Sequence, residues 1–246
     1  MEHIKNKYYE TIYEDDYLLV INKSAGVYSI DPRHNTPDPV LTDLLRKKYS
    51  EIFIVHRLDR ETSGLILFAK NQESHKILSQ QFAENKIEKS YYAFVDGYMN
   101  FEGVFLIDVP IFIDPGKSKV RIDPKGRPSR TKIRIVENYT NYTMLEAKLI
   151  TGRTHQIRIH LQYLGHPLIV DKLYGNREEF FLSEIKHKYR SSKNSFEQPL
   201  ISRQTLHSHQ IRFLKPFSDE ELIFNAPLPK DLKALRNQLS KTISNA

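Results

Sequence analysis

No cysteine occurs in this chain of 246 residues, which removes disulfides, thiolate catalysis and cysteine-zinc sites together. A reducing compartment, the cytoplasm, is the corresponding expectation. No run approaches the roughly 18 consecutive apolar residues of a membrane span, so no membrane partner is expected. The first fifteen residues mix Glu2, Lys5, Lys7, Glu10 and Glu14 with aromatics and hold no apolar h-region, so no secretory signal is read there. Without one, the Asn-Tyr-Thr triplets starting at Asn138 and Asn141 are chance matches to a glycosylation acceptor. Repeats and low-complexity linkers are lacking too. Acid is in deficit: 37 Lys and Arg stand against 30 Asp and Glu, a formal charge of +7, which points towards a polyanionic partner. At about 150 residues per domain the length allows one large domain or two small ones. The segments read as interdependent, so one domain over 1–246 is expected, with a core at about 11–228 and a basic tail at 230–246.

What is present is organised around His56-Arg57-Leu58-Asp59-Arg60-Glu61-Thr62-Ser63-Gly64, which runs directly into Leu65-Ile66-Leu67-Phe68-Ala69-Lys70. Five apolar residues ending in a charge are too short for a helix and read as a strand buried on both faces. A polar turn at the lip of the core can hold a carboxylate whose protonation is set by partial desolvation and a cationic neighbour. Asp59 is the candidate. An Asp in a turn is ordinarily there for its local hydrogen bonds, and Arg57, Arg60, Thr62 and Ser63 suit either a solvated turn or a phosphate-bearing ligand.

Along the chain, 17–21 is an apolar strand ending in the turn Asn22-Lys23-Ser24-Ala25-Gly26. Apolar spacing predicts a helix over about 39–49, and Asn71 is placed to cap another over about 72–85 with Ile77, Leu78, Gln81 and Phe82 inward. Strands are predicted at 91–95, 105–109, 119–122, 131–136 and 142–150. The last alternates, with Thr143, Leu145, Ala147 and Leu149 on one face. A helix over about 154–164, capped by Thr154, follows the turn at Gly152 and stops at Gly165 and Pro167. Residues 171–205 read as an excursion around a short helix near 178–189. A strand at 206–214 puts His207 and His209 on one face, and the tail reads as a weakly amphipathic helix at best.

Three further constellations carry chemistry. In Lys89-Ser90-Tyr91-Tyr92-Ala93-Phe94-Val95 the tyrosines can be half-buried strand residues, or one ring can stack on a nucleobase. Gly152-Arg153-Thr154-His155-Gln156-Ile157-Arg158-Ile159-His160 opens a helix, where freed N–H groups and Arg153 suit a phosphate. Arg158, between two isoleucines, calls for a partly buried carboxylate. The segment 117–134 carries Lys117, Lys119, Arg121, Lys125, Arg127, Arg130, Lys132 and Arg134 against Asp123. It is either a solvated face or a phosphate-contact surface. Zinc is disfavoured, because His207-x-His209 with His155 and His160 matches no finger or hydrolase spacing. A Ser63-His56-Asp59 triad is disfavoured too, since three members within eight residues rarely converge and no Gly-x-Ser-x-Gly elbow exists.

The motif His56-Arg57-Leu58-Asp59-x-x-Thr62-Ser63-Gly64, with Ala69-Lys70 trailing, resembles the signature of RluA-type pseudouridine synthases. The other pieces fall in the family's order: Asn22-Lys23-x-x-Gly26, then Lys89-x-Tyr91-x-Ala93-x-Val95, then 152–160 with Leu164-Gly165-His166-Pro167. The resemblance implies an α+β fold: a mixed, largely antiparallel central sheet flanked by helices, with a catalytic cleft. It implies isomerisation of uridine in RNA to its carbon-linked isomer, with Asp59 catalytic, Tyr91 stacking on the base and Arg158 pairing with the aspartate. His56, Arg57, Arg60, Thr62, Arg153, His155 and Gln156 become RNA-binding candidates. No cofactor and no metal are implied; the partner is ribosomal RNA or tRNA, and a monomer is expected. Ser24 stands where relatives commonly place Pro, a loss of rigidity. The pattern also starts too early to leave room for the small amino-terminal RNA-binding domain of some members, so the basic segments must do the docking. The rivals are a non-catalytic RNA-binding or ribosome-assembly protein and a metal-dependent hydrolase.

Overall fold

The computed structural model describes residues 6–32, 36–114, 116, 119–186 and 196–243. In chain order the elements are β1 (Tyr9–Glu14), β2 (Leu18–Lys23), α1 (Leu41–Arg46), β3 (Phe53–Ile54), β4 (Ser63–Ala69), α2 (Gln72–Ala83) and β5 (Glu88–Asp96). Then come β6 (Phe105–Asp108), β7 (Ile111–Ile113), β8 (Val120–Ile122), β9 (Arg130–Asn138), β10 (Tyr142–Leu149), α3 (Gln156–Tyr163), β11 (Leu206–Leu214), β12 (Glu221–Asn225) and α4 (Lys230–Ile243). By internal contacts the chain divides into two compact units, Met1–Ser90 with His207–Pro227, and Tyr91–Leu206 with Leu228–Ala246.

In the first unit β4 is buried at every residue, as its unbroken apolar run requires. Its residues Gly64 to Ala69 pair antiparallel with β2. Its other edge takes β3 at one end and, in parallel, His207 and Ser208 of β11 at the other. Antiparallel β1 extends the sheet beyond β2, and β12 pairs with β11. Leu18, Val20, Leu65, Leu67, Leu78, Ile211 and Phe213 form the core between this sheet and α2. Asn71 caps α2 as expected, its side chain accepting the Ser74 N–H at 2.8 Å. Gln81 faces inward and closes a two-way amide pair with the backbone of Leu214, at 2.9 and 3.1 Å.

In the second unit the sheet order is β5-β10-β9-β6, with β7 and β8 paired separately. α4 lays Leu232, Leu235 and Leu239 into a core that contains Phe94, Met144 and Ile169. Each such side chain contributes about 2 kcal/mol by leaving water. The tail is therefore a docked helix, firmer than its composition suggested, because the three leucines recur on one helical face.

Other boundaries shift for local reasons. α1 starts only at Leu41, because Val40 is still extended and bridges to Tyr28. α3 begins after His155, which is left-handed (φ 54°) and gives no side-chain cap. Thr154 is thus not the cap. Of the helix expected near 178–189 the structure has a 3-10 turn at Leu182–Glu184, while 187–189 lie outside the described residues. The strands β1, β3, β7 and β12 were not anticipated.

Gly64 stands where β4 meets β11. Its φ is +115°, and a Cβ built there would lie 2.2 Å from the Ser208 carbonyl oxygen. Gly26 also has positive φ, +80°, but nothing lies within 4 Å of its virtual Cβ. Gly64→Ala is expected to lower the unfolding free energy by about 3 kcal/mol or more, and Gly26→Ala by only about 1 kcal/mol. Denaturant titration of both variants checks this; equal losses would show that the β4–β11 approach is not the constraint.

Candidate active site

The loop 55–62 has no regular structure of its own, and the first unit holds it from three sides. Leu58 is buried in the loop's middle. The Ser29 hydroxyl donates to its carbonyl at 2.8 Å and accepts its N–H at 3.1 Å, replacing a strand neighbour with one side chain. Two residues on, the Arg60 carbonyl accepts from Lys23 Nζ at 3.1 Å and from the Gly26 N–H at 2.9 Å. Lys23 is fully buried and also donates to the carbonyls of Ser24 and Val27. The Asn22-to-Gly26 turn is therefore the anchor of the Asp59 loop. Asp59 is half-buried, and its carbonyl accepts the Thr62 N–H at 3.1 Å.

His56 holds the start of the loop. Its Nε2 accepts the Leu67 N–H at 3.0 Å, so the ring must be neutral with its proton on Nδ1. Loss of water around the ring, and then the Lys89 charge, push its pKa well below the usual histidine value. The imidazole tilts against Phe82 at 5.0 Å, and Lys89 Nζ lies 4.8 Å from the centre of that ring. Burial pushes the Lys89 ammonium down to about 8. Arg60 pairs with Asp38 at 2.9 Å and Glu61 at 2.7 Å and lies over Tyr28. Arg57 is exposed. Among the RNA-binding candidates of this loop, then, His56, Arg60 and Thr62 hold the loop itself, and Arg57 points to solvent.

In the second unit, Tyr91 lies on β5 with 5% of its surface exposed, and Arg158 on α3 with 3%. Arg158 forms a two-pronged pair with Asp171, Nε to Oδ2 at 2.6 Å and Nη2 to Oδ1 at 2.7 Å. Burial alone would raise the Asp171 carboxyl, but the Arg158 guanidinium and the N–H groups of Leu173 and Tyr174 hold it below its ordinary value. The guanidinium also lies 4.9 Å from the Tyr174 ring centre, a cation–π contact. Tyr174 in turn meets His155 Nδ1 at 2.9 Å and accepts the Val120 N–H at 2.8 Å. The left-handed backbone at His155 is thus tied to the same cluster.

Sequence reasoning expected a carboxylate near Arg158 but missed Asp171 and Tyr174. The available signal was an Asp followed three residues later by Tyr-Gly, just past Gly165-His166-Pro167. Gln156 is buried and fully used: its carbonyl accepts from Thr151 Oγ1 and the Arg153 N–H, and its amide donates to the Arg130 carbonyl and Thr131 Oγ1. Arg153 Nε reaches the Pro128 carbonyl at 3.4 Å. His160 is buried between Thr131 Oγ1 at 2.9 Å and the Val109 carbonyl at 3.2 Å. Among the described residues no group of three His, Asp or Glu could hold a metal ion, and no helix is long and apolar enough to cross a membrane.

Residues 17–163 match the family model of RNA pseudouridylate synthases, and the chain belongs to that family, whose reaction isomerises uridine in RNA. Within it, the chain is of the RluA type. It is 37% identical over 224 residues to a ribosomal large subunit pseudouridine synthase C of Vibrio cholerae, covering 90% of this chain and 66% of the relative. It is 35% identical over 240 residues to a ribosomal large subunit pseudouridine synthase D of Haemophilus influenzae, covering 93% and 70%. The chain thus spans about two thirds of the length of these relatives. A solved human protein, RNA pseudouridylate synthase domain containing 4, superposes with a TM-score of 0.72 at 21% identity, covering 94% of this chain and 92% of that one. The fold is the α+β pseudouridine synthase fold expected from the motifs.

Two measurements probe this arrangement. Asp171→Ala strands a buried guanidinium and is expected to cost about 3–5 kcal/mol in unfolding free energy. Asp171→Asn, which can still accept from the Leu173 and Tyr174 N–H groups, should cost clearly less. Equal losses would deny the ion pair its part. Burial pushes the His160 imidazole from 6.5 to about 4, so the unfolded chain takes up this proton first as pH falls. Stability is full above pH 6.5 and declines towards pH 4, by about 3 kcal/mol at 1.36 kcal/mol per unit. His56 adds in the same direction. Unfolding at pH 7 and pH 4.5 should show a pH dependence that shrinks in His160→Gln; an unchanged slope would mean another group carries it.

Proposed function

We propose that this chain converts uridine to pseudouridine in large-subunit ribosomal RNA, with Asp59 as the catalytic residue. In the reaction the bond from uracil N1 to ribose C1′ breaks, the base turns, and C5 bonds to C1′. The C5 proton is released and N1 gains one. An ionised carboxylate can serve as nucleophile or as proton acceptor in such a sequence. A uridine must leave its stack to reach it.

The observation that carries the reading is the loop architecture. Asp59 sits on backbone fixed by Ser29, Lys23 and Gly26. Rigid support suits a group that must meet one atom of a mobile ligand. Tyr91 is the base-stacking ring in this reading, held firmly by its strand. Arg158, held by Asp171 in its own unit, is the arginine that the family resemblance assigns to the reaction. Arg57, exposed beside Asp59, takes an RNA phosphate. The names of the relatives, synthases C and D of the ribosomal large subunit, support ribosomal RNA over tRNA.

Asp59→Ala should abolish tritium release from large-subunit ribosomal RNA labelled at uridine C5, by at least a thousandfold, while RNA affinity stays within about threefold. A non-catalytic RNA-binding protein predicts no release from the unaltered chain either, and that result would end the enzyme reading. Release that survives Asp59→Ala would move catalysis to another group.

A further inference from the structure

Lys89 heads the motif Lys89-x-Tyr91-x-Ala93-x-Val95 on β5, and it has no part in the reaction derived for Asp59. The residue is half-buried, and its Nζ stands 4.8 Å from the centre of the Phe82 ring on α2. Among the described residues no hydrogen bond or ion pair reaches this ammonium. The acids beside it in sequence are engaged elsewhere. Glu84 pairs with Lys86 at 2.6 Å, and Glu88, which strand alternation puts on the opposite face of β5, lies 3.9 Å from Arg212.

His56 cannot serve as the partner either. Its Nε2 accepts the Leu67 N–H and its Nδ1 carries the proton, so neither ring nitrogen offers a lone pair to a cation. The two groups repel, and after burial the Lys89 charge is what holds His56 neutral. The fully buried cations of this chain are each matched by oxygen: Lys23 by three carbonyls, Arg158 by Asp171 and Arg203 by Asp231. Lys89 has a ring face instead, which replaces only part of what water supplied. Loss of water, unopposed by an acid, brings the ammonium down to about 8. A desolvated cation beside the residue that opens the Asp59 loop, with no oxygen facing it, is half of an anion site. Arg57, exposed and next to His56, adds a second positive charge there.

We propose that Lys89 seats a backbone phosphate of the RNA beside the Asp59 loop, a phosphate oxygen completing the partner set that the protein leaves open. The inference rests on the reading that the chain acts on RNA. Lysine serves phosphate as a compact point charge, and a contact of this kind sets register and leaves sequence choice elsewhere. A phosphate favours the charged ammonium and raises its pKa. Affinity is therefore full below pH 8 and is lost as pH climbs past it,.

The test is binding to a large-subunit ribosomal RNA transcript at pH 7, 8 and 9 and across salt. It compares the unaltered chain with Lys89→Arg, Lys89→Met and a control that removes one exposed charge from α2, Lys76→Gln. From pH 7 to pH 9 the unaltered chain should lose about tenfold in affinity, the ratio of charged ammonium at the two pH values,. Lys89→Arg, whose guanidinium stays charged throughout, should lose no more than about twofold. Lys89→Met keeps an unbranched stem against Phe82, so its melting midpoint should stay near that of the unaltered chain. At pH 7 it should bind about tenfold more weakly, with the slope of log affinity against log salt reduced by about 0.7–0.9, one phosphate contact. An arginine variant that still loses tenfold would overturn the proposal, as would a methionine variant whose affinity and slope match the Lys76→Gln control. The two readings fail separately. If the unaltered chain releases no tritium yet its affinity falls with pH and that of Lys89→Arg does not, the catalytic reading fails and the phosphate seat stands. Tritium release together with a pH-independent affinity removes the seat alone.

Discussion

Leu58 is an apolar residue in the middle of a polar loop, and burying it takes two peptide groups out of water. A buried backbone N–H or carbonyl without a partner costs about 1–3 kcal/mol, and no strand runs beside this loop to satisfy them. Ser29 does so with one hydroxyl, accepting the N–H and donating to the carbonyl of the same residue. A Ser-to-Ala change there would leave both groups wanting. Everything attributed to Asp59 depends on that hydroxyl, because the neighbouring residue can be presented steadily only if Leu58 stays down. Lys23 does the same for Arg60 with a buried ammonium. The motif around Asp59 is thus half of a structure whose other half lies some thirty residues earlier.

The second unit solves a related problem with charge. A guanidinium carried into a core by an isoleucine-flanked helix is tolerated only if its N–H groups are matched and its charge is offset. Asp171 does both for Arg158, and two backbone N–H groups keep Asp171 ionised in turn. Nε and Nη2 of the guanidinium are committed to this pair. The fork is therefore held in one orientation by the pair itself. Tyr174 adds a ring under the cation and ties it to His155, which explains why the chain tolerates a left-handed histidine just ahead of α3.

How much of this was legible follows from what each residue does locally. β4 was readable because a strand buried on both faces has no polar face to disguise it. The cap of α2 was readable because Asn71 acts within three residues of itself. α3 was misread at its start because Thr154 is a good cap by type, whereas the actual start is set by His155 reaching Tyr174, nineteen residues on. Asp171 stayed hidden for the same reason: its meaning lies in Arg158, across a turn that the pattern of residues 164–167 seemed to close. β1 and β12 were missed because their alternation is diluted by charge, Glu10 and Glu14 in one and Glu221 in the other. The tail was underrated because the lysines and other polar residues around its three leucines lower the mean hydropathy without weakening the stripe. The ordering of Asp59, Tyr91 and Arg158 along the chain was plain from the motifs, while the supports of each required coordinates.

Ser24 shows how a departure from the family pattern can be neutral. A Pro at that position would stiffen the turn, but it has no N–H. Here the Ser24 N–H donates to the Tyr8 carbonyl at 2.9 Å, and its hydroxyl donates to the Lys7 carbonyl at 3.0 Å. Those bonds carry the β1–β2 ladder past the end of β2 and fix the turn from outside. Proline would fix it from within by restricting φ. Either way Lys23 is held with its ammonium facing inward, and that is what the Asp59 loop needs. The requirement is for a turn that cannot swing, and two hydrogen bonds to an adjacent strand meet it as well as a ring does.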